Sequence, residues 1–179
     1  MVIKRISLAL AVAATALPAS TSFAQSAKPV SLGISAGAAI PVGDFGNDMT
    51  TGFNGTVSLG FTSYGSPIGI RVDGMYNKFS AKDDFPGVPD TRIIGANANL
   101  VYSLPGTGIR PYLIGGGGIY GLKAEDTGIN QETDFGVNGG IGASFPLSGF
   151  NTFIEARFHH VFTENFSTQF IPVTFGISF

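Results

Sequence analysis

The sequence predicts an all-β fold, an eight-stranded antiparallel transmembrane β-barrel wound as an up-and-down meander behind an N-terminal signal peptide. Three observations predict it. Apolar residues recur at every second position in one segment after another, which is the side-chain period of a strand. Charged residues are only 12% of the chain and glycine is 26 of 179, too little charge for the surface of an ordinary soluble domain. Beyond the leader, no stretch approaches the roughly 20 apolar residues that a membrane helix needs, so any crossing must be made by strands.

The leader comes first. Lys4 and Arg5 form a positive start, Ile6 to Leu17 is an apolar run, and Ser22-Phe23-Ala24 is a small-x-small cleavage signal before Gln25. Residues 1–24 are therefore expected to be a cleaved signal peptide and 25–179 the barrel domain. The chain's 10 basic residues include Lys4 and Arg5, so the domain keeps 8 of them against 12 acidic ones and has no basic run; nucleic acid is not expected as a partner. With no cysteine, disulfides, thiolate metal sites and a catalytic thiol are excluded.

The strands follow in order. Val30, Leu32, Ile34, Ala36, Ala38 and Ile40 alternate with Ser31, Gly33, Ser35, Gly37 and Ala39. Phe53, Gly55, Val57, Leu59 and Phe61 then oppose Asn54, Thr56, Ser58 and Gly60. The third segment sets Ile68, Ile70, Val72 and Tyr76 against Arg71, Asp73 and Asn77, and the fourth Ile94, Ala96, Ala98, Leu100 and Tyr102 against Asn97, Asn99 and Ser103. The fifth, Arg110 to Lys123, has no readable facing, because Gly115 to Gly118 offer no side chains to sort. In the sixth, Phe135, Val137, Ile141, Ala143 and Phe145 oppose Asp134, Asn138 and Ser144. The seventh opposes Phe150, Ile154, Ala156, Phe158 and Phe162 to Asn151, Glu155, Arg157 and His159. The eighth opposes Ile171, Val173, Phe175, Ile177 and Phe179 to Pro172, Thr174, Gly176 and Ser178.

Connections alternate as well. Ser63-Tyr64-Gly65-Ser66, Pro105-Gly106-Thr107-Gly108 and Pro146-Leu147-Ser148-Gly149 are short and built of turn residues. Those near 41–52, 80–90 and 124–133 are longer and more polar, and one near 163–168 is shorter. Short turns at one rim and long loops at the other are the outer-membrane pattern, with the turns and both termini periplasmic.

The same period would suit a soluble, lipocalin-like carrier with its apolar face inward. The polar face argues against that. It is mostly Gly, Ser, Thr and Asn, which suits a narrow packed lumen, and its charges are mixed in sign: Arg71 with Asp73, Glu155 with Arg157. These four and His159 are expected to form a luminal polar network. Aromatics cluster near strand ends, Phe61, Tyr102, Phe145, Phe150 and Phe179 at one rim and Phe53, Tyr76, Phe135 and Phe162 at the other, as membrane girdles do.

Over residues 28–179 the chain resembles the small outer-membrane β-barrels, the OmpA/OmpX-like barrels and their opacity-protein relatives. Arg110-Pro111-Tyr112-Leu113 followed by Gly115–Gly118 is similar to a strand common in that family. Ile171-Pro172-Val173-Thr174-Phe175-Gly176-Ile177-Ser178-Phe179 is similar to its C-terminal assembly signal. The resemblance implies that Phe175, Ile177 and Phe179 are read by the barrel-assembly machinery. It also implies residence in the bacterial outer membrane among lipid and lipopolysaccharide, and a chain that ends with its barrel, without OmpA's peptidoglycan-binding domain.

Little points to catalysis, and no cofactor is expected. His159 and His160 are adjacent, so they lie on opposite faces of a strand and cannot share a metal. The resemblance also brings in barrel lipid A deacylases, which carry a serine two residues after the histidine. His160 with Glu164 and Ser167 offers similar groups, but Phe162 occupies that serine's position. The acids Asp83, Asp84, Glu125, Asp126 and Glu132 match no calcium loop and read as solvated charge. The expectation is a monomeric, non-enzymatic anchor whose outer loops make envelope or surface contacts, with a narrow ion pore as the alternative.

Overall fold

The computed structural model describes residues 29–83, 89–106, 108–124, 132–163 and 167–179. Eight strands pair in chain order and close into a barrel: β1 (Val30–Val42), β2 (Gly52–Thr62), β3 (Ile68–Phe79), β4 (Thr91–Ser103), β5 (Arg110–Ala124), β6 (Glu132–Pro146), β7 (Asn151–Phe162) and β8 (Ser167–Ser178). At 11–15 residues each is long enough to cross a bilayer obliquely. Every neighbouring pair is antiparallel, and β1 meets β8 with Ala36 opposite Phe175. Mutual hydrogen bonds between Leu32 and Phe179 carry that seam to the C-terminus. Closure leaves no edge strand, so no backbone row is left unpaired in an apolar surrounding.

The faces sort as the alternation predicts. Leu32, Ile34, Val57, Ile70, Leu100, Ile141, Ile154 and Phe175 are exposed on the outer wall, whereas Asn54, Asp73, Asn97, Glu155, Arg157 and Thr174 are buried inside. An apolar exterior around a polar interior rules out the lipocalin-like arrangement. The girdle residues also meet in space: Phe53 with Tyr76 and Phe135 with Phe162 at the loop end, Phe150 with Phe179 at the turn end.

The fifth strand, unreadable in sequence, acquires a facing. Tyr112, Ile114 and Tyr120 point inward and are buried, while Leu113 and Ile119 are exposed outside. Gly116 and Gly118 share the inward phase and lie opposite Asn99 and Asn97 of β4. A Cβ at either glycine would run into a β4 carbonyl oxygen, that of Ala98 or Ala96. The glycines thus let β4 and its asparagines crowd inward across β5. Inward aromatics use other glycines in the same way: the Tyr112 ring covers Gly142, Tyr120 covers Gly136 and Phe153 covers Gly176.

Two expectations need correction. The segment 41–52 is not all loop: β1 runs to Val42 and a short helix, α1 (Gly43–Asp48), follows. Gly43 makes the corner with φ of +61°, a backbone conformation that glycine adopts without strain. The loop near 163–168 is shorter than predicted, because β8 already begins at Ser167.

Helix α1 roofs the loop end of the barrel. Phe45 is buried in a cluster with Met49, Met75, Phe79, Ile93, Val161 and Phe170. The lumen is therefore not polar throughout, as the sequence suggested; its loop-end half is largely apolar, with Asn54, Asn77 and Thr168 buried among the hydrophobic side chains. Phe79, Ile93, Val161 and Phe170 hold inward positions nearer the loop end than the four charges do, so hydrophobic burial takes over where the charges stop, with Thr168 buried beside Phe170. Lys82 latches the roof: Nζ donates to the carbonyl oxygens of Gly46 (2.8 Å) and Asn47 (3.0 Å), and its backbone N–H donates to that of Asp48. Six residues are too few to hold a helix unaided, so packing must hold it. Truncating a buried Phe typically costs about 3–5 kcal/mol. Phe45→Ala is accordingly expected to expose residues 43–50 to protease while the folded barrel stays intact. Unchanged protection would assign the hold to Lys82 instead.

Candidate functional site

The polar half of the lumen is organised around four charged side chains. Arg71 and Asp73 share the inward face of β3; Glu155 and Arg157 share that of β7. In a ring of eight strands, β3 and β7 are four apart in either direction, so their inward side chains face one another across the barrel. The guanidinium of Arg71 donates to both oxygens of Glu155, at 2.8 Å each, in a two-pronged pair. Arg157 donates to Asp73 Oδ2 at 2.7 Å and its Nε lies 2.9 Å from Glu155 Oε1. Arg71 Nε lies 3.0 Å from Asp73 Oδ1. Each arginine thus touches both acids, and the four make a closed, charge-neutral clasp.

Neighbouring strands complete it. The Tyr112 hydroxyl on β5 donates to Glu155 Oε2 at 2.7 Å, and Asn99 on β4 donates from Nδ2 to Asp73 Oδ2 at 2.9 Å. Asp73, Glu155 and Arg157 are all at most 5% exposed. Charges this deep are tolerated only when paired and hydrogen-bonded, and here the partners come from four strands. Because the pairs reach from wall to wall, they act as struts and fill the lumen.

His159 stands outside the clasp, contrary to its predicted place with Glu155 and Arg157. It is hydrogen-bonded through Nδ1 to the Tyr120 hydroxyl at 2.8 Å and stacks on Phe170, with ring centroids 4.9 Å apart. Two residues farther along β7 than Arg157, it has already entered the apolar half. Phe45, Phe79, Phe170, His159 and Tyr120 form a continuous ladder of ring contacts from the roof downward. The sequence names Tyr112 only within the Arg110–Leu113 motif and gives Tyr120 no role, although their spacing from one another and from Ile114 is even and would place them on one face.

The remaining candidates lie elsewhere. His160 is on the outer wall, where Gln169 Nε2 donates to its Nδ1 at 3.1 Å and Phe162 packs against its ring. Ser167 pairs in register with Phe162; Glu164 lies outside the described residues. Asp83 is exposed, Asp84, Glu125 and Asp126 lie outside the described residues, and the side chain of Glu132 is not described. Phe175 and Phe179 are exposed on the outer wall with Ile177 half-buried between them. Among the described residues, no three His, Asp or Glu side chains gather as metal ligands do.

A closed barrel with an apolar wall, aromatic girdles and a strutted lumen defines a transmembrane β-barrel protein. The match to the family model of the outer membrane protein beta-barrel domain covers residues 7–179, and the chain belongs to that family. Solved structures share the fold at low identity. Neisserial surface protein A aligns over 84% of this chain and 96% of its own, with a TM-score of 0.69 and 16% identity. The outer membrane enzyme PagL aligns over 83% and 97%, at 0.52 and 15%. The outer membrane protein Ail of Yersinia pestis aligns over 83% and 99%, at 0.50 and 18%. No curated protein sequence matches the chain.

Proposed function

We propose that this protein is a monomeric, non-enzymatic anchor in the bacterial outer membrane, exported with a cleaved signal peptide over residues 1–24. Its termini and short turns face the periplasm. Its loop end faces outward, where α1 and the segments 80–90 and 124–133 make envelope or surface contacts. The filled lumen carries this reading. The Arg71–Asp73–Glu155–Arg157 clasp spans the polar half, and the aromatic ladder under α1 occupies the other. A barrel of eight strands has room inside for side chains and little else, so function moves to the loops. One of the structural neighbours is named as a surface protein and another as an enzyme. For this chain, Phe162 stands where a deacylase would need its serine, and His160 is engaged by Gln169.

Reconstitution in planar bilayers tests the reading directly. No stable conductance is expected, and expressing cells should show unchanged lipid A acylation. Exchanging residues 80–90 and 124–133 for Gly-Ser linkers should abolish adhesion conferred by the chain while its recovery in the membrane fraction is retained. A steady conductance removed by Arg71→Ala would establish a pore, and a deacylated lipid A would establish an enzyme.

A further inference from the structure

Charge is distributed very unequally between the two ends of the barrel. Among the described residues of 62–68, 103–110 and 146–151, Arg110 is the one charged side chain, and it is exposed at the start of β5. Asp73 and Glu155 lie in the clasp. Every other acid falls by chain position between 44 and 48, 83 and 90 or 125 and 134, or at 164, toward the loop end. In place of charge, each turn presents a large apolar side chain: Tyr64 is 86% exposed, Ile109 54%, Leu147 53% and Leu104 38%. The loop end shows the opposite, with Asp44, Asp48 and Asp83 exposed.

These tips continue the outer wall past its girdle. Leu104 follows Tyr102 by two residues, Leu147 follows Phe145 by two, and Tyr64 follows Phe61 by three. Phe150, in the same turn as Leu147, meets Phe179 with ring centroids 6.2 Å apart. The girdle marks the boundary between hydrocarbon and headgroups. Strands rise about 3.3 Å per residue and cross at about 45°, so the tips stand about 5–7 Å beyond that boundary. A headgroup layer is about 5–8 Å deep, which places the tips inside it and short of open water. Arg110 fits the same layer, since a cation suits anionic phosphodiesters that would repel an acid.

We infer that the turn end is immersed in the phospholipid headgroup layer of the periplasmic leaflet, held there by Tyr64, Leu104, Ile109 and Leu147 and by Arg110 on a lipid phosphate. The choice of leaflet rests on the orientation proposed above. Immersion fixes the depth of the barrel. Displacement outward would draw Arg110 into hydrocarbon, and displacement toward the periplasm would set four apolar side chains in water.

The chain has no tryptophan, so one placed at a tip reports alone. Tyr64→Trp and Leu147→Trp are compared with Asp83→Trp at the loop end, in phosphatidylcholine nanodiscs holding one barrel each. Acrylamide should quench the two turn-end reporters several-fold less than the loop-end one. A nitroxide on the lipid headgroup should quench them more than a nitroxide at the end of the acyl chain. In discs containing phosphatidylglycerol, Arg110→Gln should retain that lipid about fivefold less in native mass spectrometry, the effect of one basic side chain at an anionic surface. Turn-end reporters quenched by acrylamide as fully as Asp83→Trp, or undiminished lipid retention by Arg110→Gln, would overturn the inference. Protection confined to discs holding two barrels would assign the tips to a second copy and overturn it too. A loop end shown to face the periplasm would overturn both the leaflet assigned here and the orientation proposed above, whereas a conducting barrel would refute the anchor alone.

Discussion

Glu155→Ala is expected to destabilise the barrel by about 3–5 kcal/mol, measured as urea unfolding in detergent or lipid vesicles. The carboxylate receives both prongs of Arg71, the Nε of Arg157 and the Tyr112 hydroxyl. Without it, two arginines face Asp73 alone, and an uncompensated positive charge stays in the lumen. The double variant Arg71→Leu/Glu155→Leu removes one charge of each sign and leaves Asp73 paired with Arg157 at 2.7 Å. It should therefore lose less than Glu155→Ala does, although it removes more of the clasp. A double variant as unstable as the sum of its two single variants would show that the four charges act independently.

The second large effect concerns backbone crowding. Gly116→Val and Gly118→Val should each destabilise by at least about 1–3 kcal/mol, and together they should prevent the heat-modifiable, folded band from forming. A Cβ at Gly116 meets the carbonyl oxygen of Ala98 and the Cα of Asn99; one at Gly118 meets those of Ala96 and Asn97. Backbone cannot yield as a flexible side chain can. Gly115, next in sequence, is the control: among the described residues its Cβ would meet Asn138 O alone, at an ordinary 3.7 Å. Gly115→Ala should fold as wild type does. Equal tolerance at all three positions would mean that the run serves only to keep the strand small, and that its phase is irrelevant.

These two predictions draw on different depths of legibility. The outward wall could be read residue by residue, because alternation is local and a one-residue slip would reverse every side chain in a strand. Arg71 and Asp73, or Glu155 and Arg157, could be assigned to the lumen on that ground alone. Their cross-lumen partners could not, since the bonded pairs are 84 residues apart in sequence. His159 shows the limit of parity: it lies on the correct face but above the clasp, and which layer it joins depends on how far along the strand its neighbours become apolar. The inward Phe79 and Phe170 were within reach of the same periodicity. Their meaning was hidden because an apolar residue at a polar-phase position is sorted only once a roof above it is known.

By itself the sequence determined strand number, order, facing and the two unlike rims, because period, turn chemistry and segment length are properties of adjacent residues. Only the tertiary structure decided how the lumen is filled. Closing β1 onto β8 fixes the diameter, and that diameter sets which inward side chains can reach one another. It brings the β3 and β7 charges into one clasp and folds Phe45 down onto Phe79. It also presses the β5 glycines against β4, giving a facing to the one strand whose side chains could not announce it.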